Sequence, residues 1–270
     1  MERKKLILPF LKALFSQPSV ILKSLYHGMV PYDRKNYVIK NFDKGSGLKE
    51  VDLLDLFPSF NEVVEPFSHL YGTSLPIDLA ILKKLAKQLP DCEYLEIGSW
   101  RGESLANIAP HCKRCVSLSL SDDEMRAIGL NENVIAMQRF YSKNIPNVTH
   151  LEGDSTKFDF SKLGKFDLIF VDGDHRFEAV KSDTENVFKL LKNENSIIIW
   201  HDYTEQYEHI NWEVFAGILA GAPQNAHESI YHITNSLCAI YLPKKINSTS
   251  YRYPKSPDKS FKITIEGHRI

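Results

Sequence analysis

Residues 166–180, FDLIFVDGDHRFEAV, decide how this chain is read. Phe166 to Val171 has the length and apolarity of a buried strand, yet it runs without a spacer into Asp172, Gly173, Asp174 and His175. Burying ionisable groups is costly unless they are paired or used, so three of them at one strand end point to a site. The stretch 176–192, RFEAVKSDTENVFKLLK, then reads as a helix. A second strand repeats the arrangement, since SIIIWHD (196–202) ends in His201 and Asp202.

Working outward, the same alternation covers the middle of the chain. EYLEIGSW (93–100), CVSLSL (115–120) and NVTHLEG (147–153) read as strands. LPIDLAILKKLAKQLP (75–90), GESLANIAP (102–110), SDDEMRAIGL (121–130) and WEVFAGILAG (212–221) read as helices, with Ser121 or Asp122 as the cap of the third. SIYHITN (229–235) and LCAIYLP (237–243) are close enough to pair antiparallel. Strands alternating with helices predict an α/β fold, a doubly wound, mostly parallel sheet covered on both faces and closed by an antiparallel C-terminal strand pair. In such sheets ligands bind beyond the carboxyl ends of the strands, where the acids lie.

The flanks carry no such pattern. Residues 1–75 are expected to be a mainly helical and irregular extension, cut into short pieces by Pro9, Pro18, Pro31, Pro58 and Pro66. Residues 76–242 form the core domain, and 243–270 a basic polar tail in which FKITIEG (261–267) could add a late strand. At the start, Leu6, Ile7, Phe10, Leu11 and Leu14 share one helical arc behind a basic beginning. That stripe is expected to pack on the body or on another subunit of a homo-oligomer; the alternative is peripheral contact with the inner face of a membrane.

Composition limits the function classes. With 270 residues, 43% hydrophobic and 25% charged, the chain suits a soluble globular protein with a sizeable core. A net charge of −1 gives no reason to expect a nucleic-acid partner. Four cysteines in this length are no disulfide scaffold, and with no exportable leader a cytoplasmic location is expected. Cys112 and Cys115 form a C-x-x-C, but a zinc site needs a second pair and a redox motif should open a helix, so both are expected to be structural thiols.

Glu96, Gly98 and Gly102 stand in the spacing E-x-G-x-x-x-G between a strand and a helix. Glycines there let backbone approach a ligand, and the helix start supplies unpaired N–H groups. The spacing is not the G-x-G-x-x-G of dinucleotide enzymes, which argues against a nicotinamide oxidoreductase.

Over about residues 75–242 this pattern resembles the class I S-adenosylmethionine-dependent methyltransferases, whose sheet is Rossmann-like. The resemblance implies S-adenosyl-L-methionine as cofactor, with Glu96, Gly98, Ser99, Trp100 and Gly102 around its methionine part. It implies Ser119 at the ribose, where relatives carry an acid, and Asp154 and Ser155 near adenine. PFSHLYGTS (66–74) could form a lid over the methyl donor.

More narrowly, VDGDH and WHDY look like the metal-dependent O-methyltransferases of the macrocin and novobiocin sugar type, and more distantly catechol O-methyltransferase. That resemblance implies a divalent cation, Mg²⁺ or Mn²⁺, on Asp172, His201 and Asp202. It places the general base on Asp174 in the sugar enzymes' manner or on His175 in the catechol enzyme's, and Asp174 is preferred. Relatives usually have an acid at 201. An imidazole there is compatible with a mixed-ligand site for manganese, iron or zinc, with a metal-free base, or with a structural histidine. The expected activity is methylation of a hydroxyl on a sugar, glycan-like or related small-molecule acceptor. A nucleic-acid methyltransferase is disfavoured, because the strand ending in VDGDH lacks the proline–aromatic motif that stacks a flipped base. A scaffold that binds cofactor without catalysis is the alternative from another class.

Overall fold

The computed structural model describes residues 12–206 and 208–270. Its elements in chain order are α1 (Pro18–Phe42), β1 (Lys49–Val51), α2 (Leu53–Leu56), α3 (Pro76–Gln88), β2 (Glu93–Ile97) and α4 (Glu103–Ile108). Next come β3 (Arg114–Ser119), α5 (Asp122–Ala127), α6 (Glu132–Ile135), β4 (Val148–Glu152), β5 (Leu168–Val171), α7 (Phe177–Lys189) and β6 (Ile197–Trp200). The short β7 (Thr204–Glu205) and β8 (His209–Ile210) precede α8 (Trp212–Gly221), β9 (Ile230–Ile233) and β10 (Ala239–Tyr241).

Eight strands form one sheet in the order β1-β9-β10-β6-β5-β2-β3-β4. The pairs β2–β3, β3–β4, β2–β5, β5–β6 and β1–β9 are parallel. Strand β10 runs antiparallel to both of its neighbours, β6 and β9. The chain moves from β2 toward one edge through β3 and β4, then returns to β2's other side at β5. The order therefore reverses between β2 and β5, which opens a crevice at their carboxyl ends.

The strands alternate as a sheet covered on both faces requires. Leu95, Ile97, Ile169, Val171, Ile198 and Trp200 pack with Val38 of α1, Phe177 and Val187 of α7, and Phe215 and Ile218 of α8. Tyr94, Cys115, Leu168, Phe170 and Ile199 face the other way, onto Leu79, Leu82 and Leu85 of α3 and Leu105 and Ile108 of α4. The first face is close-packed: a Cβ on Gly221 of α8 would lie 2.4 Å from the Lys181 carbonyl oxygen of α7.

The expected sheet, its antiparallel pair and the Ser121 cap are present; Ser121 and Glu124 form a reciprocal capping box. The flanks differ from expectation. Pro31 lies inside the 25-residue α1, with Pro18 in its first turn, instead of ending a helix. Anchors from the body hold α1 past the lost hydrogen bond: Val38 is buried, Tyr37 meets Phe177 edge to face at 5.4 Å, and Arg34 Nε lies 2.9 Å from Glu213 Oε1. The segment before the core also supplies β1, at the sheet's edge. The 261–267 stretch is not a strand; it is exposed and has no partner strand among the described residues. The tail instead returns to β1, where Glu50 and Thr249 exchange backbone hydrogen bonds of 2.7 and 2.8 Å. Leu6, Ile7, Phe10 and Leu11 of the expected N-terminal stripe lie outside the described residues. No described helix is long and apolar enough to cross a membrane.

Candidate active site

Three strands stop one residue short of the crevice, and each next residue is tied to the neighbouring strand. The Gly98 N–H donates to Leu118 O at 2.9 Å, Asp172 N–H to Ile97 O at 2.8 Å, and His201 N–H to Val171 O at 3.0 Å. Parallel register thus places Gly98, Asp172 and His201 side by side.

They open on a cleft of about 420 Å³. Glu96, Gly98, Trp100, Arg101 and Gly102 form one wall, Asp172, His175, His201 and Asp202 another, and Tyr71 to Leu75 a third. Glu96 is fully buried: Tyr94 Oη donates to its Oε2 at 2.7 Å and Ser104 Oγ to its Oε1 at 2.8 Å. Burial pushes its carboxyl up to about 7. Gly98 has φ 91° and lies against the Asp172–Gly173 backbone. Trp100 is fixed by its indole N–H, which donates to Val134 O at 2.9 Å, and the Arg101 guanidinium covers its ring at 4.2 Å. Ser99 is buried in the same turn.

Of the 66–74 segment, Tyr71 to Ser74 line this cleft. The segment is held by the turn after β2 and the start of α4: Arg101 Nη1 donates to Tyr71 O at 3.0 Å, and Thr73 Oγ1 donates to Glu103 Oε1 at 3.1 Å. Arg101 and Glu103 are buried partners with 3.3 Å between Nε and Oε2, so turn and segment are braced by one ion pair.

Asp172, His201 and Asp202 converge, as the motif spacing implies. His201 Nδ1 lies 3.2 Å from Asp172 Oδ1 and 3.1 Å from Asp202 Oδ2, aligned for a hydrogen bond with neither. Asp202 adopts φ 54°, a left-handed conformation that costs a non-glycine residue about 1 kcal/mol and turns its carboxylate back over His201. His175 Nε2 lies 2.9 Å from Asp202 Oδ2 and 3.9 Å from Asp172 Oδ1. Asp172, His175 and Asp202 can offer ligand atoms all within 4.8 Å of one another. A buried imidazole nitrogen lacking a hydrogen bond beside two carboxylates suits a divalent cation of the manganese, iron or zinc kind.

Charge follows this geometry. Burial works against ionisation of Asp172 and Asp202, yet the facing imidazoles hold both carboxyls below their usual range. The carboxylates of Asp172 and Asp202 in turn push His175 up to about 10. A histidine raised in the folded state stabilises it fully below the unfolded value of about 6.5, and that contribution is lost as pH rises through 10. With chelator present, the urea midpoint is therefore expected to fall from pH 7 to 10, and to fall less for His175→Gln. Parallel curves would show that His175 makes no such contribution.

One partner was missed in the sequence. Asp78 of α3 is fully buried, with Oδ2 3.1 Å from His201 Nε2 and Oδ1 accepting the Leu237 N–H at 3.1 Å. It reads as an ordinary first-turn acid, but Ile81, Leu82 and Leu85 at i+3, i+4 and i+7 are buried, so Asp78 stands on the core face. A carboxylate on an apolar helical stripe was the available signal.

Other expected residues lie elsewhere. Asp174 does not line the large cleft; its carboxylate accepts from the Arg176 backbone N–H at 2.9 Å and pairs with the Arg176 guanidinium. His175, one residue on, does line it. Ser119 ends β3 buried and outside the cleft's lining. Asp154 and Ser155 are also outside it: Asp154 Oδ1 accepts from Thr156 N and Oγ1 at 3.0 and 2.6 Å, while Oδ2 lies 2.8 Å from Lys157 Nζ.

Residues 95–203 match the family model described as a methyltransferase domain. The matched stretch runs from within β2 to just beyond β6 and so contains Glu96, Gly98, Asp172, His201 and Asp202 of the cleft. Among curated proteins it is similar to the uncharacterized protein R132 of Acanthamoeba polyphaga mimivirus, 24% identical over 144 residues. That match covers 51% of this chain and 64% of the relative, less than two thirds of the relative's length. Among solved structures it is similar to the O-methyltransferase from Bacillus cereus in complex with SAH, with 18% identity, TM-score 0.45, and 63% of this chain and 82% of that chain covered. CalS11, a TDP-rhamnose 3'-O-methyltransferase of calicheamicin biosynthesis, shows 15% identity, TM-score 0.43, and coverage of 62% and 77%.

Proposed function

We propose that the chain transfers the methyl group of S-adenosylmethionine to a hydroxyl of a small acceptor of the sugar or glycan-like class, assisted by a divalent cation. The convergence of Asp172, His201 and Asp202 on the cleft that Gly98 and Glu96 also line carries this reading. Donor and cation then share one chamber, which transfer to a bound hydroxyl needs. Asp172, Asp202 and Nδ1 of His201 would hold the ion, which when bound lowers the pKa of an acceptor hydroxyl.

The chain's residues then have separate tasks. Glu96 and the Gly98–Gly102 turn hold the methionine part, and the Arg101–Glu103 pair keeps the 66–74 cover over it. His175 lines the cleft and Asp174 does not. A cation engaging the Asp172 and Asp202 carboxylates would remove the charge that keeps His175 protonated, and with the ion bound proton acceptance falls to His175 in place of the expected Asp174.

Titration calorimetry with S-adenosylmethionine and its demethylated product, with and without Mg²⁺ and Mn²⁺, tests the reading. Micromolar binding of both nucleosides is expected, with Mn²⁺ heat abolished by chelator. Absence of nucleoside binding would remove the methyl donor; absence of cation binding would remove the metal.

A further inference from the structure

We propose that Asp78, which lies outside the 95–203 match, is a positioning residue that fixes the tautomer of His201 and presents Nδ1 to the cation. The inference rests on the metal-assisted reading above and names a part of it that no motif carries.

Asp78 has no exposure to solvent, and its two oxygens have separate partners. Oδ1 accepts from the Leu237 backbone N–H at 3.1 Å; that amide can only donate. Oδ2 lies 3.1 Å from His201 Nε2. An ionised carboxylate only accepts, so it keeps the proton on Nε2. With Nε2 keeping its proton, the Nδ1 lone pair is the one a bound cation would take, on the side that faces Asp172 Oδ1 at 3.2 Å and Asp202 Oδ2 at 3.1 Å. Ligand atoms about 2.1 Å from one ion and at right angles to each other lie about 3 Å apart, which matches both distances. Carboxylate, histidine and cation thus form one line, the arrangement by which an outer carboxylate orients a ligating imidazole.

The same helix start makes a second contact. Ser74 Oγ donates to Asp172 Oδ2 at 3.3 Å, so two ligands are steadied from the segment that leads into α3. One alternative arrangement exists on the buried side, where Asp78, His201 and Cys238 could offer ligand atoms within 4.8 Å of one another. There Nε2, not Nδ1, would bind, and Asp78 would be a ligand itself.

Asp78→Asn separates these. The asparagine carbonyl must stay on the Leu237 N–H, which turns its NH₂ toward Nε2. Nε2 then has to accept, and the proton moves to Nδ1. Mn²⁺ affinity of the full chain, followed by the free-ion electron paramagnetic resonance signal, is expected to fall about 10–100-fold. S-adenosylmethionine affinity and the melting temperature serve as folding controls and should be near wild type. Cys238→Ser should leave Mn²⁺ affinity unchanged. A second measurement needs no variant: in Zn²⁺-loaded wild type, nitrogen-15 resonances should show His201 protonated at Nε2 and metal-shifted at Nδ1.

Wild type that binds no divalent cation overturns both this inference and the metal-assisted reading. Wild type that binds Mn²⁺ beside an equally tight Asp78→Asn overturns the inference alone. Loss of Mn²⁺ binding in Cys238→Ser, or a zinc-shifted Nε2, would also overturn it in favour of the inner site.

Discussion

Replacing Gly98 with alanine is expected to abolish S-adenosylmethionine binding and to lower stability by about 2–5 kcal/mol. Two effects add. At φ 91° an L side chain is strained, and its Cβ would meet the Asp172 carbonyl oxygen at 2.2 Å, the carbonyl carbon at 2.4 Å and Gly173 Cα at 2.5 Å. All three are backbone atoms in the loop that follows β5, so no rotamer change relieves the clash. The ends of β2 and β5 must separate, and the crevice between them is where the cofactor would lie. Urea denaturation reads the stability, and calorimetry at a temperature where circular dichroism shows the variant folded reads the binding. Binding at wild-type affinity would place the cofactor elsewhere.

Asp172→Asn is expected to lower turnover about two to four orders of magnitude while cofactor affinity stays within a few-fold. Asp172 sits at the centre of the charged group, with His201, Ser74 and His175 around its carboxylate. An amide keeps the volume and removes the charge, leaving both imidazoles facing one carboxylate less. The backbone N–H of residue 172 still bonds to Ile97 O, so the strand end and the cofactor turn should keep their shape. Turnover and KM measured beside calorimetric binding of S-adenosylmethionine check this. Turnover at the wild-type level would exclude Asp172 from the reaction.

The parts of this molecule legible in its sequence are those set by short-range repetition. Alternating Leu95, Glu96, Ile97 and the run Leu168 to Val171 mark strands because neighbouring side chains take opposite faces. The polar residues at the strand ends follow from the same reading, whereas the grouping of Asp172, His201 and Asp202 was implied by the family resemblance and rests in the structure on β5 and β6 being neighbours. Strand β1 was illegible because Lys49–Val51 is too short to show a period. Helix α1 was misread because proline chemistry argues for breaks, whereas contacts by Arg34, Tyr37 and Val38 hold the helix together. That His175 and not Asp174 lines the cleft was illegible, because Asp174 is engaged by the backbone and guanidinium of Arg176. A one-residue difference in direction within a loop has no periodic signature.

Strand β1 pairs with β9, and the contact between Glu50 Oε1 and His232 Nδ1 at 3.0 Å joins residues 182 positions apart. At synthesis rates of about 5–20 residues per second, β1 leaves the ribosome roughly 10–35 s before its neighbour exists. Closing so long a loop is a late event in folding, and an unpaired edge invites aggregation meanwhile. Three residues of strand offer little template for that, so brevity is a protection during the wait. The strands that bear Gly98, Asp172 and His201 are complete by residue 200, but the amide that anchors Asp78 belongs to Leu237. A nascent chain can therefore shape the crevice between β2 and β5 while the support behind His201 is still being made.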